Sequence, residues 1–258
     1  MPEFLTLLPP PQALDKLLEH LPVQIGEEEI ATQDALGRVT AQAVQAPAPL
    51  PAFARSTVDG YTVQAAGTFG SSESLPAYLQ LVGEVPMGAA PKMNIARNEC
   101  ALIHTGGMLP EGADAVVMVE YTQQAREGEV EILRAVGVGE NVLRVGEDVA
   151  AGQAVIPAGT RLRPAEIGGL MALGLTSVQV ARQPRVGIIS SGDEVVPPEE
   201  QVQPGQVRDV NSYTLGALVT QSGGQPALYG IASDDFASLQ AIVEKALNEC
   251  DLVVITAG

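Results

Sequence analysis

The pattern of apolar and polar positions changes style several times along the chain. Residues 12–21 place Leu14, Leu17, Leu18 and Leu21 at helical spacing, which predicts a short amphipathic helix. His20 stands where it caps the C-terminal end of that helix dipole. Glu28 to Leu36 reads as a second helical stretch, stopped by Gly37. Pro47, Pro49 and Pro51 then alternate with small residues, the composition of an extended linker. From Ser56 to Glu140 short β-like runs follow one another between glycines: Tyr78–Val85, Cys100–His104, Ala115–Tyr121 and Val130–Leu133. This stretch predicts a separate β-rich lobe. Residues 146–160 are turn-dense, and Arg163-Pro164-Ala165-Glu166 opens a helix that runs to about Leu173, with proline in its first turn.

The last quarter reads differently. Val186–Ser190 is an apolar, β-branched run. Asn211 or Ser212 caps a helix bearing Leu215, Leu218 and Val219, which Gly223-Gly224 stops. Ala227–Ile231 is a strand, Asp234 or Asp235 caps a helix with Leu239, Ile242, Val243, Ala246 and Leu247, and Leu252–Thr256 is a third strand. Strand, helix, strand, helix, strand predicts a parallel sheet covered on both faces. Ligands of such sheets bind beyond the C-terminal strand ends, which points to Ser190–Glu194, Ala232–Asp235 and whatever follows Gly258. No internal repeat is visible.

Composition narrows the function. With 31 Asp+Glu against 14 Lys+Arg, the chain of 258 residues carries a formal net charge of −17. Such a polyanion has no electrostatic footprint for nucleic acid or for an anionic membrane, and 3% aromatic residues with no Trp leave few stacking platforms. No apolar run is long enough to span a bilayer, and Met1-Pro2-Glu3-Phe4 does not start a signal peptide. Cys100 and Cys250 form no metal or redox motif and read as buried free thiols of a cytoplasmic protein. Two histidines, His20 and His104, do not suffice for a zinc site or argue for a Ser-His-Asp triad.

Four segments set Gly beside Asp, Glu, Ser or Thr at the edges of apolar runs. They are Ser56-Thr57-Val58-Asp59-Gly60-Tyr61, Thr105-Gly106-Gly107 with Pro110–Asp114, Ser190-Ser191-Gly192-Asp193-Glu194, and Ser233-Asp234-Asp235. Glycine admits a ligand to the backbone, exposed N–H groups cradle phosphate, and neighbouring carboxylates suit Mg²⁺. Each is also a common turn or helix cap, and neither a P-loop nor a G-x-G-x-x-G loop occurs.

In this order and spacing the segments resemble one family, the molybdopterin molybdenumtransferases: the bacterial MoeA proteins and the E domain of gephyrin. The resembling residues are Phe53–Tyr61, Ile103–Gly107, Gly112–Val117 with Glu120, Gly146-Glu147-Asp148, Gly187–Glu194, Asp209-Val210-Asn211 and Gly230–Asp235. The resemblance implies an α/β multidomain fold. A mixed α+β N-terminal part (1–46 with 141–181) carries an inserted β-rich lobe (47–140), and an incomplete MogA-like parallel-sheet molybdopterin-binding domain (182–258) follows. It implies Mg²⁺-assisted insertion of molybdate into adenylylated molybdopterin with release of AMP. It implies, too, a homodimer whose site lies between the first lobes of one subunit and the parallel-sheet domain of the other. The molybdopterin adenylyltransferase is a further implied partner. Asp59, Thr105, Glu194 and Asp234 take catalytic roles in that picture, Glu194 and Asp234 as metal ligands. Ser190, Ser191, Gly192, Asp193 and Arg144 belong to cofactor binding.

Three departures stand out. Thr57-Val58 precede Asp59 where the family usually has Ser-Ala-Met, and only Arg144 is basic ahead of Gly146-Glu147-Asp148. The family's sheet continues past its third strand, whereas this sequence stops at Ala257-Gly258, so a fragment or truncated product is expected, with little activity alone. Two other classes compete: a non-catalytic molybdopterin-binding scaffold of gephyrin type, and an adenylyltransferase sharing only the parallel-sheet domain. A scaffold has no need to keep the four catalytic residues, and residues 1–180 match lobes an adenylyltransferase lacks.

Overall fold

A computed structural model describes residues 8–21 and 25–257. The N-terminal Met1–Phe4 and the chain end at Gly258, on which two of the sequence expectations fall, lie outside the described residues. The chain forms two compact units: Ala43–Ile156, and a discontinuous unit of Met1–Gln42 with Pro157–Gly258.

The unit 43–156 is built on a six-stranded sheet. Its strands lie in the order Ala115–Met118, Gly60–Val63, Glu99–Ile103, Ala77–Glu84, Glu129–Ile132, Thr122–Arg126. All pairs are antiparallel except Ala77–Glu84 with Glu99–Ile103. Gly60–Val63, Glu99–Ile103 and Ala115–Met118 are buried without strict alternation, because both faces are covered there, whereas Ala77–Glu84 and Glu129–Ile132 alternate. Ala115 and Val117 join Val63, Leu79, Cys100 and Ile132 in one core, while Val116 joins Ala101, Ile103, Val85 and Ile95 in another. Gly60 has a packing reason: a Cβ there would collide with the carbonyl oxygen of Val117 on the neighbouring strand. Burial pushes the Cys100 thiol up to about 12, so it is an inert core group. Cys250 is free and half-buried.

The proline-rich stretch is not a free linker. Val44–Gln45 pairs with Ala154–Ile156, Ala46 N–H donates to Gln153 C=O (2.9 Å), and Leu50 N–H to Val149 C=O (2.8 Å). Proline blocks helix, but the neighbouring N–H groups still find ladder partners.

In the second unit the helix Pro10–His20 forms as its leucine spacing predicts, and the His20 ring meets Lys16 C=O at 2.8 Å in its last turn. The expected helix over 28–36 is replaced. Glu27–Ala31 is a strand, antiparallel to Ser177–Ala181, followed by a 3₁₀ turn at Thr32–Asp34. Three glutamates favour helix only weakly, and the non-local ladder outweighs that preference. The helix Pro164–Ala172 starts where Glu166 accepts the Arg163 N–H (2.9 Å) and binds its guanidinium.

The C-terminal part is a parallel sheet in the order Gln225–Ala232, Arg185–Ser191, Leu252–Ala257. Its central strand shows both faces covered. Ile189 packs with Ala246, Leu239, Ile242 and Val243 of the helix Phe236–Glu249. Ile188 faces the other way, toward Gly216 of the helix Asn211–Ser222. Neither Asn211 nor Ser212 caps that helix with its side chain; Asp209 does the work, its Oδ1 accepting the Ser212 N–H at 3.0 Å. For the last helix the cap is Asp235, which accepts from Ala237 N–H (2.9 Å) and Ser238 N–H (3.3 Å).

Candidate functional site

From the first parallel strand the chain crosses to one side, then returns to the other for the third. The strand order therefore reverses between Arg185–Ser191 and Leu252–Ala257, and at such a switch point the loops diverge and leave a crevice. The end of the first strand is held from below by a buried polar network. Ser190 Oγ donates to Asp209 Oδ1 (3.0 Å) and lies 2.9 Å from Ser212 Oγ and 3.2 Å from Thr256 Oγ1. One serine proton goes to the carboxylate, so the other two hydroxyls can donate to Ser190. Burial pushes the Asp209 carboxyl up, but the hydrogen bonds from Ser212 and Ser190 outweigh it and hold it below its ordinary value. The side chain of Ser190 is thus spent inside the domain, and Ser191 Oγ donates to Thr256 C=O (3.2 Å).

Above this network the chain turns at Gly192, whose φ of +139° suits glycine. A Cβ there would stand 2.8 Å from Glu194 Oε2, so the glycine also makes room for that carboxylate. Asp193 Oδ1 accepts the Asp234 N–H (3.1 Å) and ties the two loops together at the sheet edge. Asp235 is occupied as the helix cap, and the Ser238 hydroxyl, then the N–H groups of Ala237 and Ser238, keep its pKa low. Glu194 and Asp234 are left without a hydrogen bond or ion pair to their carboxylates among the described residues. No three His, Cys, Asp or Glu side chains gather as a metal-binding group among those residues. A free carboxylate is a donor of the type Mg²⁺ takes, since that ion commonly uses one or two carboxylates and completes its shell with phosphate oxygens and water. Beside the first strand, on the side away from the switch point, a groove of about 500 Å³ opens between Val195–Pro198, Tyr213 and Gly230–Ser233.

Asp59 and Thr105 lie in the unit 43–156. The pairing of Gly60 with Ile103 brings the two strand ends together, so Asp59 Oδ1 accepts both the Thr105 N–H (2.8 Å) and its hydroxyl (3.2 Å). His104 stands beside them, with Nδ1 3.6 Å from Asp59 and Nε2 3.2 Å from Glu84 Oε1. The Thr105 backbone N–H, then its hydroxyl, then His104 hold the exposed Asp59 carboxyl below its ordinary value. Arg144 is exposed, its guanidinium over Gly139 and its N–H donating to Glu147 (2.8 Å).

In the sequence Asp209 stands in a resembling motif without a role of its own, Ser212 is expected only as a helix cap, and Thr256 and Tyr213 carry no expected role. A signal for Asp209 was there: an aspartate three residues ahead of the N–H it caps. Thr256 had none, because only strand pairing carries it to Ser190.

A mostly antiparallel sheet in one unit and a parallel, doubly wound sheet in the other define an α/β protein of two compact units. Family models make this specific. The MoeA N-terminal region (domains I and II) matches residues 8–174, and a probable molybdopterin-binding domain matches 187–258. The chain belongs to the MoeA family. It is 37% identical over 242 residues, 94% of its length, to a molybdopterin molybdenumtransferase of Nostoc sp., and 32% identical over its full length to that of Bacillus subtilis. It spans 55% and 60% of those two relatives. Among solved structures, the molybdopterin biosynthesis MoeA protein of Pyrococcus horikoshii superposes with a TM-score of 0.92 at 36% identity, over 97% of this chain and 66% of that one.

Proposed function

We propose that this chain is part of an enzyme of molybdenum cofactor biosynthesis that inserts molybdate into adenylylated molybdopterin and releases AMP. The observation that carries the reading is the sheet edge at Gly192–Glu194, where Glu194 and Asp234 keep free carboxylates beside a glycine turn. The names of the relatives point the same way. Glu194 and Asp234 would hold Mg²⁺, which when bound would screen the phosphates against a polyanionic chain.

The chain's own residues then bind and orient. Ser191 and Gly192 offer the turn at the strand end, and Asp193 keeps the second loop in register by holding the Asp234 N–H. Asp59, with Thr105 fixing its rotamer, is the acid–base group of the other unit. Arg144 supplies positive charge from its loop. Displacement at a phosphoanhydride needs little covalent help, so positioning and charge neutralisation dominate. A homodimer, a cytoplasmic setting and contact with the molybdopterin adenylyltransferase belong to the same reading.

The test uses the full-length protein with adenylylated molybdopterin, Mg²⁺ and molybdate. Molybdate-dependent release of AMP is expected; release no faster than in a protein-free control would sink the reading.

A further inference from the structure

The parallel strands open at their N-terminal ends on a second groove, of about 480 Å³. The central strand runs from Arg185 to Ser191, so about 20 Å of sheet separates this groove from the Gly192 turn. Its floor is the edge strand Gln225–Ala232 with Arg185 beside it, and its wall is the C-terminal end of the helix Phe236–Glu249, with Lys245 and Glu249. Arg185 and Lys245 are exposed, and neither makes an ion pair among the described residues. The carboxylates nearest to them are engaged elsewhere. Asp251 accepts the Arg185 backbone N–H (2.7 Å), but its charge is matched by the Arg182 guanidinium at 3.0 and 2.5 Å. Glu249 accepts the Tyr229 hydroxyl (2.7 Å), and contact with Cys250 and Glu249 raises the Tyr229 pKa, so the phenol stays a donor. Lys245 Nζ lies 5.9 Å from the centroid of the Tyr229 ring, which holds the ammonium over the groove. In a chain of net charge −17, two uncompensated cations facing one groove are an exception to the prevailing sign.

We propose that this groove is an anion site, separate from the sheet edge at Gly192, that takes a small dianion, phosphate or a phosphate monoester, between Arg185 and Lys245. A guanidinium offers a planar fork and an ammonium a point charge, and the oxygens of one phosphate can meet both. With Glu249 counted, the groove still sets two positive charges against one negative. An extended acidic peptide is the other ligand that two cations could draw to a sheet edge, and the backbone opposes it. Pro226 has no N–H to give an added strand, and Gln225 spends its own on Pro184 C=O (2.8 Å). The register then shifts between Leu228 and Gly230, where Gly230 has a φ of +88°. A small anion needs no continuous edge. The site is independent of the reaction proposed above, and either can fail without the other.

The probe is inorganic phosphate, titrated calorimetrically into the full-length protein with a chelator present, so that no Mg²⁺ holds phosphate at Glu194. Saturable binding with a Kd of about 1 mM or tighter is expected at low salt, weakening as ionic strength rises. The double variant Arg185→Gln, Lys245→Gln is expected to lose about tenfold or more in affinity, as two charge-assisted contacts go. Lys245→Gln alone, at an exposed helical position, is expected to lose severalfold and gives the same reading if the double variant does not fold. Glycerol 3-phosphate is the second arm: tighter binding than phosphate identifies a monoester as occupant, and equal or weaker binding identifies the free ion. Absence of saturation up to about 50 mM overturns the assignment. So does unchanged affinity in a variant that keeps its wild-type melting temperature, or nitrate bound as tightly as phosphate. Displacement of phosphate by a hexaglutamate peptide at lower concentration would make the groove a peptide surface and overturn it too. AMP release plays no part in this readout.

Discussion

At Gly60 the neighbouring strand passes so close that its Val117 carbonyl occupies the place of a side chain. Gly60→Ala must push two paired strands apart, and a loss of about 2–4 kcal/mol is expected in urea unfolding. The carboxylates next to the glycines have a different kind of consequence. Asp59 is exposed, and an amide oxygen can still accept the Thr105 N–H, so Asp59→Asn is expected to melt like the wild type while AMP release falls about a hundredfold. Glu194→Ala, which removes a free carboxylate, is expected to do the same; near-normal turnover in either variant removes that residue from the site. Asp209 belongs to stability instead. Its folded pKa is depressed, so its contribution is complete above the unfolded value of about 3.9 and is lost as pH falls through the lower folded value. Asp209→Asn is therefore expected to flatten the acid limb of a stability-against-pH curve, and an unchanged limb would contradict the network.

Elements formed where local and long-range preferences agreed. The helix Phe236–Glu249 has its apolar stripe against Ile189 and an aspartate at its start, and both were visible in the sequence. The two adjacent aspartates left the cap ambiguous, which backbone geometry resolved in favour of Asp235. Asp235→Ala is expected to cost about 1 kcal/mol in thermal unfolding, and Asp234→Ala far less. Glu27–Ala31 shows the opposite case. Its residues favour a helix in isolation, and the partner that makes it a strand, Ser177–Ala181, lies far along the chain. Thr122–Arg126 was illegible for a related reason: an exposed edge strand needs no apolar alternation.

Across these 258 residues the net charge of −17 sets the terms on which the proposed anionic substrate would be bound. Repulsion between the chain and a phosphate ligand is long-ranged and weakens within about 10 Å at 0.1 M salt. Removal of Mg²⁺ from the full-length protein is therefore expected to weaken binding of adenylylated molybdopterin, and to do so more at low than at high ionic strength. Calorimetric titrations with and without chelator at two salt concentrations check this, and an equal loss at both would contradict the electrostatic account.

The sequence by itself determined the kinds of segment present: apolar runs for buried strands, glycine and acidic residues at their ends, and the motif order that marks the MoeA family. Those features are local, since period, turn chemistry and spacing are written in neighbouring residues. Tertiary structure alone decided which ends meet. Asp59 reaches Thr105 through the Gly60–Ile103 register, Thr256 reaches Ser190 through parallel pairing, and Asp193 holds the loop of Asp234. Such contacts depend on strand order and register between distant segments, and no local property of either partner encodes them.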